Sequence, residues 1–170
     1  MSRAVLSLGS NLGDRLAYLR GVVEQLAGVL VAASPVYETA PWGGVEQGPF
    51  LNAVIVVDDD ATDEWGWLRA GQHLEDAAGR VRDVRWGPRT LDVDVVTVDG
   101  PGGPVYSDHP DLLLPHPGTA SRVTVLRPWL DLDPPAALPG HGPVAALLAA
   151  LGRDAEAGVL RRDDLVLVPA

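Results

Sequence analysis

The 170-residue chain contains no cysteine, which excludes disulfides, thiolate metal sites and a cysteine nucleophile. It contains no lysine either, so all 13 basic side chains are arginines. P-loop phosphate binding and Schiff-base catalysis, which both need a lysine, are excluded. Any phosphate falls to arginine, backbone N–H groups or a metal. Apolar runs of the ~20 residues that span a membrane are missing, as is a basic-then-apolar leader, so the expectation is a cytoplasmic chain with no membrane partner. Positive charge is scarce: 13 basic against 23 acidic side chains give a net charge of −10. That argues against a nucleic-acid partner, because such affinity comes from neutralising phosphates. Phenylalanine occurs once, at position 50.

What is present suits one globular domain, 1–170, expected to be monomeric; 46% hydrophobic and 21% charged residues can bury a core. Its most telling stretch is Gly79 to Val98, GRVRDVRWGPRTLDVDVVTV. Arg80, Arg82, Arg85 and Arg89 lead through a Trp86-Gly87-Pro88 corner into a β-branched run from Leu91 to Val98, a loop followed by a buried strand. Side chains alternate at ~3.3 Å per residue, which places Asp92 and Asp94 on one face. Two carboxylates there repel each other unless a cation lies between them. Hard oxygen ligands of this kind suit Mg²⁺, which completes its shell with water and phosphate oxygens. The neighbouring guanidinium forks suit those same phosphates.

Elsewhere, Ala4–Leu8 reads as a strand turning at Gly9-Ser10-Asn11 into a helix with apolar residues at 12, 16, 19, 22, 23 and 26. Gly9 is either a plain tight turn or a close backbone approach to a ligand. A second strand is expected within Val29–Val36, a long loop from Tyr37 to Pro49, and a strand from Phe50 to Val57. The Asn52 amide either pairs with a donor–acceptor edge of a heterocycle or ties down the preceding loop. Thr62 is the expected cap of a helix carrying Trp65, Leu68, Gln72 and Glu75, with Trp65 and Leu68 in the core and Gly79 just past its end. Glu75 either pairs with an arginine or helps to position phosphates. Asp99–Pro104 reads as a hairpin turn and His109 as a surface-loop residue. A short helix at Thr119–Arg122 is expected to lead into Val123–Leu126, then a loop at Pro134–Pro143, a helix at Val144–Leu151 and a strand at Leu165–Val168.

The segment Arg85-Trp86-Gly87-Pro88-Arg89-Thr90-Leu91-Asp92-Val93-Asp94-Val95-Val96 closely resembles the signature of the 6-hydroxymethyl-7,8-dihydropterin pyrophosphokinases. Further similar stretches follow in order: Leu8 to Arg15, Tyr37 to Pro41, Phe50 to Ala53, and Leu114 to Pro117 with Arg122 beyond. The resemblance implies an α+β, ferredoxin-like α-β-α domain with a mostly antiparallel sheet. It implies transfer of pyrophosphate from ATP to a pterin alcohol, with two Mg²⁺ on Asp92 and Asp94, and with Arg80 and Arg89 acting beside those acids in the chemical step. By the same resemblance, Gln72, Glu75, Arg82, Arg85, Arg89, His116 and Arg122 would meet ATP, together with backbone near Val95 and Leu112. Gly9, Thr39, Ala40, Trp42, Phe50, Asn52 and Trp86 would meet the pterin. Two departures stand out: the arginine loop is one residue short, and Thr124 replaces an aromatic, whose space Trp42 is expected to fill. A two-metal nuclease using Asp92, Asp94 and Glu75 and an inert nucleotide-binding relative are the rival readings. The acidic chain speaks against the first, and only Thr124 favours the second.

Overall fold

The structure, a computed structural model, describes residues 2–39, 48–80 and 89–169. Ala40, Trp42, Arg82, Arg85 and Trp86 lie outside the described residues. The elements in chain order are β1 (Ser2–Ser10), α1 (Arg15–Gln25), β2 (Leu30–Ala33), β3 (Tyr37–Thr39), β4 (Phe50–Asp59), α2 (Glu64–Ala77), β5 (Asp92–Gly100), β6 (Gly103–Pro104), β7 (Ser107–His109), β8 (Leu112–Leu114), α3 (Val123–Leu132), β9 (Ala137–Leu138), β10 (Gly142–Pro143), α4 (Val144–Leu151), α5 (Arg153–Ala157) and β11 (Val159–Arg161). The main sheet runs β11-β3-β4-β1-β5-β6, with β2 also on β4, and its pairs are antiparallel.

β1 is central, and its two faces feed two cores. Ala4, Leu6 and Leu8 pack with Leu19, Val22, Val23, Trp67 and Leu74 of α1 and α2. Val5, with Val54, Val56 and Val96 of its neighbours, packs with Val125, Leu126 and Trp129 of α3 and Val144 and Leu148 of α4. An apolar strand without alternation is the signature of burial on both faces. The expected α-β-α layering with an antiparallel sheet is therefore what the chain adopts.

Several local expectations are corrected. Asp63, not Thr62, caps α2, accepting from Gly66 N at 2.7 Å; a carboxylate is the stronger partner for the positive helix end. The Thr62 hydroxyl instead donates to Asp59. Trp65 and Leu68 pack against the core half-buried, and Trp67 joins them as its most buried member on α2, 2% exposed with its indole N–H on Ser2. Tyr37–Thr39 is a strand, because β4 is long enough to pair with β2 along one half and β3 along the other. Val123–Leu132 is one helix despite Pro128, its apolar residues recurring at helical spacing. Within Pro134–Pro143 a small hairpin forms, and the last strand is Val159–Arg161 rather than Leu165–Val168. His109 belongs to β7, where it meets the Trp65 ring edge-on at 4.9 Å. The turn at 99–104 is the expected hairpin, and Gly79 follows α2 at φ +69.

Candidate active site

Antiparallel register assembles the site along one end of the sheet. Gly9 on β1 lies opposite Asn52 on β4 and opposite Asp92 on β5. One step further in, Ser7 lies opposite Asp94. Period-two geometry sends Asp92 and Asp94 to the α3 side of the sheet, while Val93 and Val95 enter the opposite core. Gly9 has a site-specific reason to lack a side chain. A Cβ there would lie 3.1 Å from Asn52 Nδ2, 3.7 Å from Phe50 Cδ1 and 3.9 Å from Asp92 Cβ. It is a floor between the two groups, not merely a turn.

On one side of that floor, the Thr39 hydroxyl donates to Asn52 Oδ1 at 3.0 Å. This fixes which way the Asn52 amide faces and directs its N–H groups toward Gly9. Thr39 itself is held opposite Phe50 in the β3–β4 pair.

On the other side is a buried charge network. Glu75, 4% exposed, accepts from Val93 N at 3.0 Å and from Arg80 Nη1 at 2.5 Å through the same oxygen, Oε2. Arg80 Nη1 also contacts Asp92 Oδ1, and Arg89 Nη1 donates to Asp92 Oδ2 at 2.6 Å. Of the two readings of Glu75, the arginine pair is the one observed. Each buried charge faces an opposite one, the condition for keeping ions out of water. Arg80 Nε is buried and has no hydrogen-bond partner among the described residues.

The second acid is less compensated. Partial burial, with Asp92 adding repulsion, pushes the Asp94 carboxyl above the usual carboxylate range, while His116, Arg122 and Arg80 pull the other way. His116 Nε2 is 3.8 Å from Asp94 Oδ1. The backbone sets its place: His116 N donates to Val96 O at 2.8 Å, and Thr119 Oγ1 donates to His116 O at 2.7 Å. Arg122 stands at the start of α3.

The remaining expected residues differ in exposure. Gln72 is exposed on α2, one helical turn before buried Glu75. Val95 and Leu112 are buried. The Leu112 carbonyl accepts from Ser107 Oγ at 2.6 Å. Thr124, one residue into α3, is half-buried.

Comparison with known proteins gives this geometry a lineage. Residues 5–134 match the family described as 7,8-dihydro-6-hydroxymethylpterin-pyrophosphokinase. The chain belongs to this pyrophosphokinase family. It is 52% identical over 159 residues to the 2-amino-4-hydroxy-6-hydroxymethyldihydropteridine pyrophosphokinase of Mycobacterium tuberculosis, covering 89% of this chain and 85% of that one. To the protein of the same name from Methylorubrum extorquens it is 42% identical over 145 residues, covering 83% and 89%. In fold it is similar to a crystal structure of an HPPK-DHPS protein in complex with substrates, with TM-score 0.69, 12% identity and 94% of this chain covered. The chain spans 46% of that longer protein, so the likeness concerns the fold of one portion.

Two residues beside this candidate site were not singled out from the sequence. Asn11 bonds Gly48 and Arg89, and Arg15 bonds both Glu38 and Pro49. Their signal was present, in the Gly-Ser-Asn turn and the first turn of α1. Helix periodicity does not rank such polar residues.

Proposed function

We propose that the chain transfers pyrophosphate from ATP to 6-hydroxymethyl-7,8-dihydropterin at the β4-β1-β5 end of the sheet, giving AMP and the pterin pyrophosphate in folate synthesis. The observation that carries this reading is the single row Asn52–Gly9–Asp92. Asn52 is thereby about two strand spacings, roughly 10 Å, from Asp92, which supports a bicyclic ring at Asn52 with its hydroxymethyl arm reaching toward the acids.

Asn52 and Phe50, with Thr39 behind them, would hold the pterin over the bare surface at Gly9. Asp92 and Asp94 put hard carboxylate oxygens on one face and would hold Mg²⁺, two ions on the resemblance, with Arg80 and Arg89 yielding the Asp92 oxygens they now contact. When bound, these ions would neutralise charge on the transferring group and lower the pKa of the attacking alcohol. Arg89, His116 and Arg122 border the same acids and would hold the triphosphate. Arg80 Nε, a buried donor without a partner among the described residues, would be free to meet a phosphate oxygen. Because such transfer leaves little covalent chemistry to the protein, the residues act by aligning the alcohol oxygen with Pβ and by balancing charge. Gln72, Arg82, Arg85, Val95 and Leu112 would complete the ATP side, and Ala40, Trp42 and Trp86 the pterin side. A cytoplasmic monomer is the form we expect; no helix among the described residues is long and apolar enough to cross a membrane.

The test is Asp92→Asn and Asp94→Asn, each assayed across a Mg²⁺ titration. Turnover should fall by at least about 10²-fold, with near-native circular dichroism. Wild-type rates at limiting Mg²⁺ would remove the acids from the reaction. The nuclease reading gains nothing from the fold, since Glu75 is spent on Arg80 and on the β5 backbone.

A further inference from the structure

We infer that Asn11 is a positioning residue that couples the pterin half of the site to the triphosphate half. The inference rests on the proposed function, which assigns Phe50 and Asn52 to one ligand and Arg89 and Asp92 to the other. Asn11 directly follows β1 and is 7% exposed. Its Nδ2 donates to Gly48 O at 3.1 Å, two residues before Phe50. Its Oδ1 accepts from Arg89 N at 2.7 Å, and its own backbone N donates to Arg89 O at 3.0 Å. Arg89 in turn grips Asp92.

The chemistry of this bridge is directional. A backbone carbonyl only accepts and a backbone N–H only donates, so one side chain joining them needs a donor and an acceptor on a short rigid fork. Asparagine is the side chain that supplies both at this reach. Aspartate would keep the bond to Arg89 N and set a second acceptor against Gly48 O. Serine is too short to span the two. Both backbone groups of Arg89 are tied to Asn11, so the start of β4 and the arginine on Asp92 are linked through one planar amide. A ligand that orders either end therefore lowers the ordering cost at the other. Thermodynamic linkage makes that effect equal in both directions.

The experiment measures the affinity of 6-hydroxymethylpterin with and without saturating Mg²⁺ and α,β-methylene-ATP, whose bridge cannot be cleaved. The reverse arm measures the nucleotide analogue with and without the pterin. The ratio of affinities is the coupling factor, expected in the wild-type protein on the order of 5–150. Asn11→Ala and Asn11→Asp should bring it within about twofold of one, while each ligand bound alone stays within about threefold of wild type. A merely structural role would weaken both single affinities and leave the ratio standing. Retention of the wild-type factor by either variant, or a wild-type factor of one, overturns the inference. Should the alanine variant unfold, the near-isosteric aspartate carries the same test. Failure of the proposed function shows itself separately, as absence of pterin binding to the wild-type protein in either arm.

Discussion

At the scale of single residues, the site depends on one missing side chain and one buried carboxylate. Gly9→Ala puts a Cβ 3.1 Å from Asn52 Nδ2, closer than the amide can tolerate without moving. Since Asn52 is held at its other atom by Thr39, the displacement falls on the Nδ2 side, which we propose faces the pterin. The KM for the pterin should rise about tenfold with a smaller change in the KM for ATP, because sub-ångström misplacement is costly in aligned sites. Equal changes in both constants would place Gly9 elsewhere in the mechanism. Glu75→Gln keeps an acceptor for Val93 N but takes a charge from Arg80, which retains Asp92. Loss of a charged hydrogen bond with one partner remaining should cost about 1.5–3 kcal/mol. A lower urea midpoint at unchanged slope is the expected reading, and an unchanged midpoint would show the pair to be dispensable.

At the scale of elements, β3 is fastened from three directions. It pairs with β4 and with β11. Glu38 takes Arg15 at 2.8 Å and Arg162 at 3.1 Å. The Tyr37 hydroxyl donates to Asp131 of α3, which also receives Arg127 at 2.6 Å. Burial, reinforced by Asp131, pushes the Tyr37 phenol from 10.0 up to about 12. The unfolded chain therefore loses this proton first. The contribution is complete below pH 10 and is lost as pH rises through about 12, since the native state then binds more protons than the unfolded one. Tyr37→Phe should flatten the fall in stability across that window. Tyrosinate absorbance in the folded protein should show one phenol titrating later than the rest, and simultaneous titration of all of them would contradict this.

The same elements show what the sequence made legible. Strand β1 announced itself as a short apolar run and β4 and β5 as β-branched ones, and the Asp92–Asp94 pairing of faces followed from period two alone. β3 did not, because three residues between turn formers carry no period; its existence depends on the unpaired half of β4. α3 was obscured by Pro128, although Val123, Leu126 and Trp129 keep helical spacing. Asn11 was invisible as a bridge because its two partners lie 37 and 78 residues away, a distance no local pattern spans. The arginine cluster was legible as a phosphate motif and Glu75 as a partner for one of its members, while the choice of Arg80 came only with the structure.

At the scale of the molecule, the family match ends at residue 134, but the second core does not. Leu138, Val144 and Leu148 are 2%, 0% and 3% exposed, and burying three such side chains is worth roughly 5–9 kcal/mol, comparable to the whole stability of a domain. A chain ended at 134 should therefore lose its cooperative thermal transition by circular dichroism, whereas an intact transition would mark the remainder as an appendage.

If Asn52 and the acid pair belong to one reaction centre, as we propose, the products reveal it most directly. ³¹P spectra of the protein with ATP, Mg²⁺ and 6-hydroxymethyl-7,8-dihydropterin should show AMP and a pterin-linked pyrophosphate growing in equal amounts, with neither formed when the pterin is left out. Appearance of ADP in place of AMP, or AMP formed at the same rate without the pterin, would contradict it.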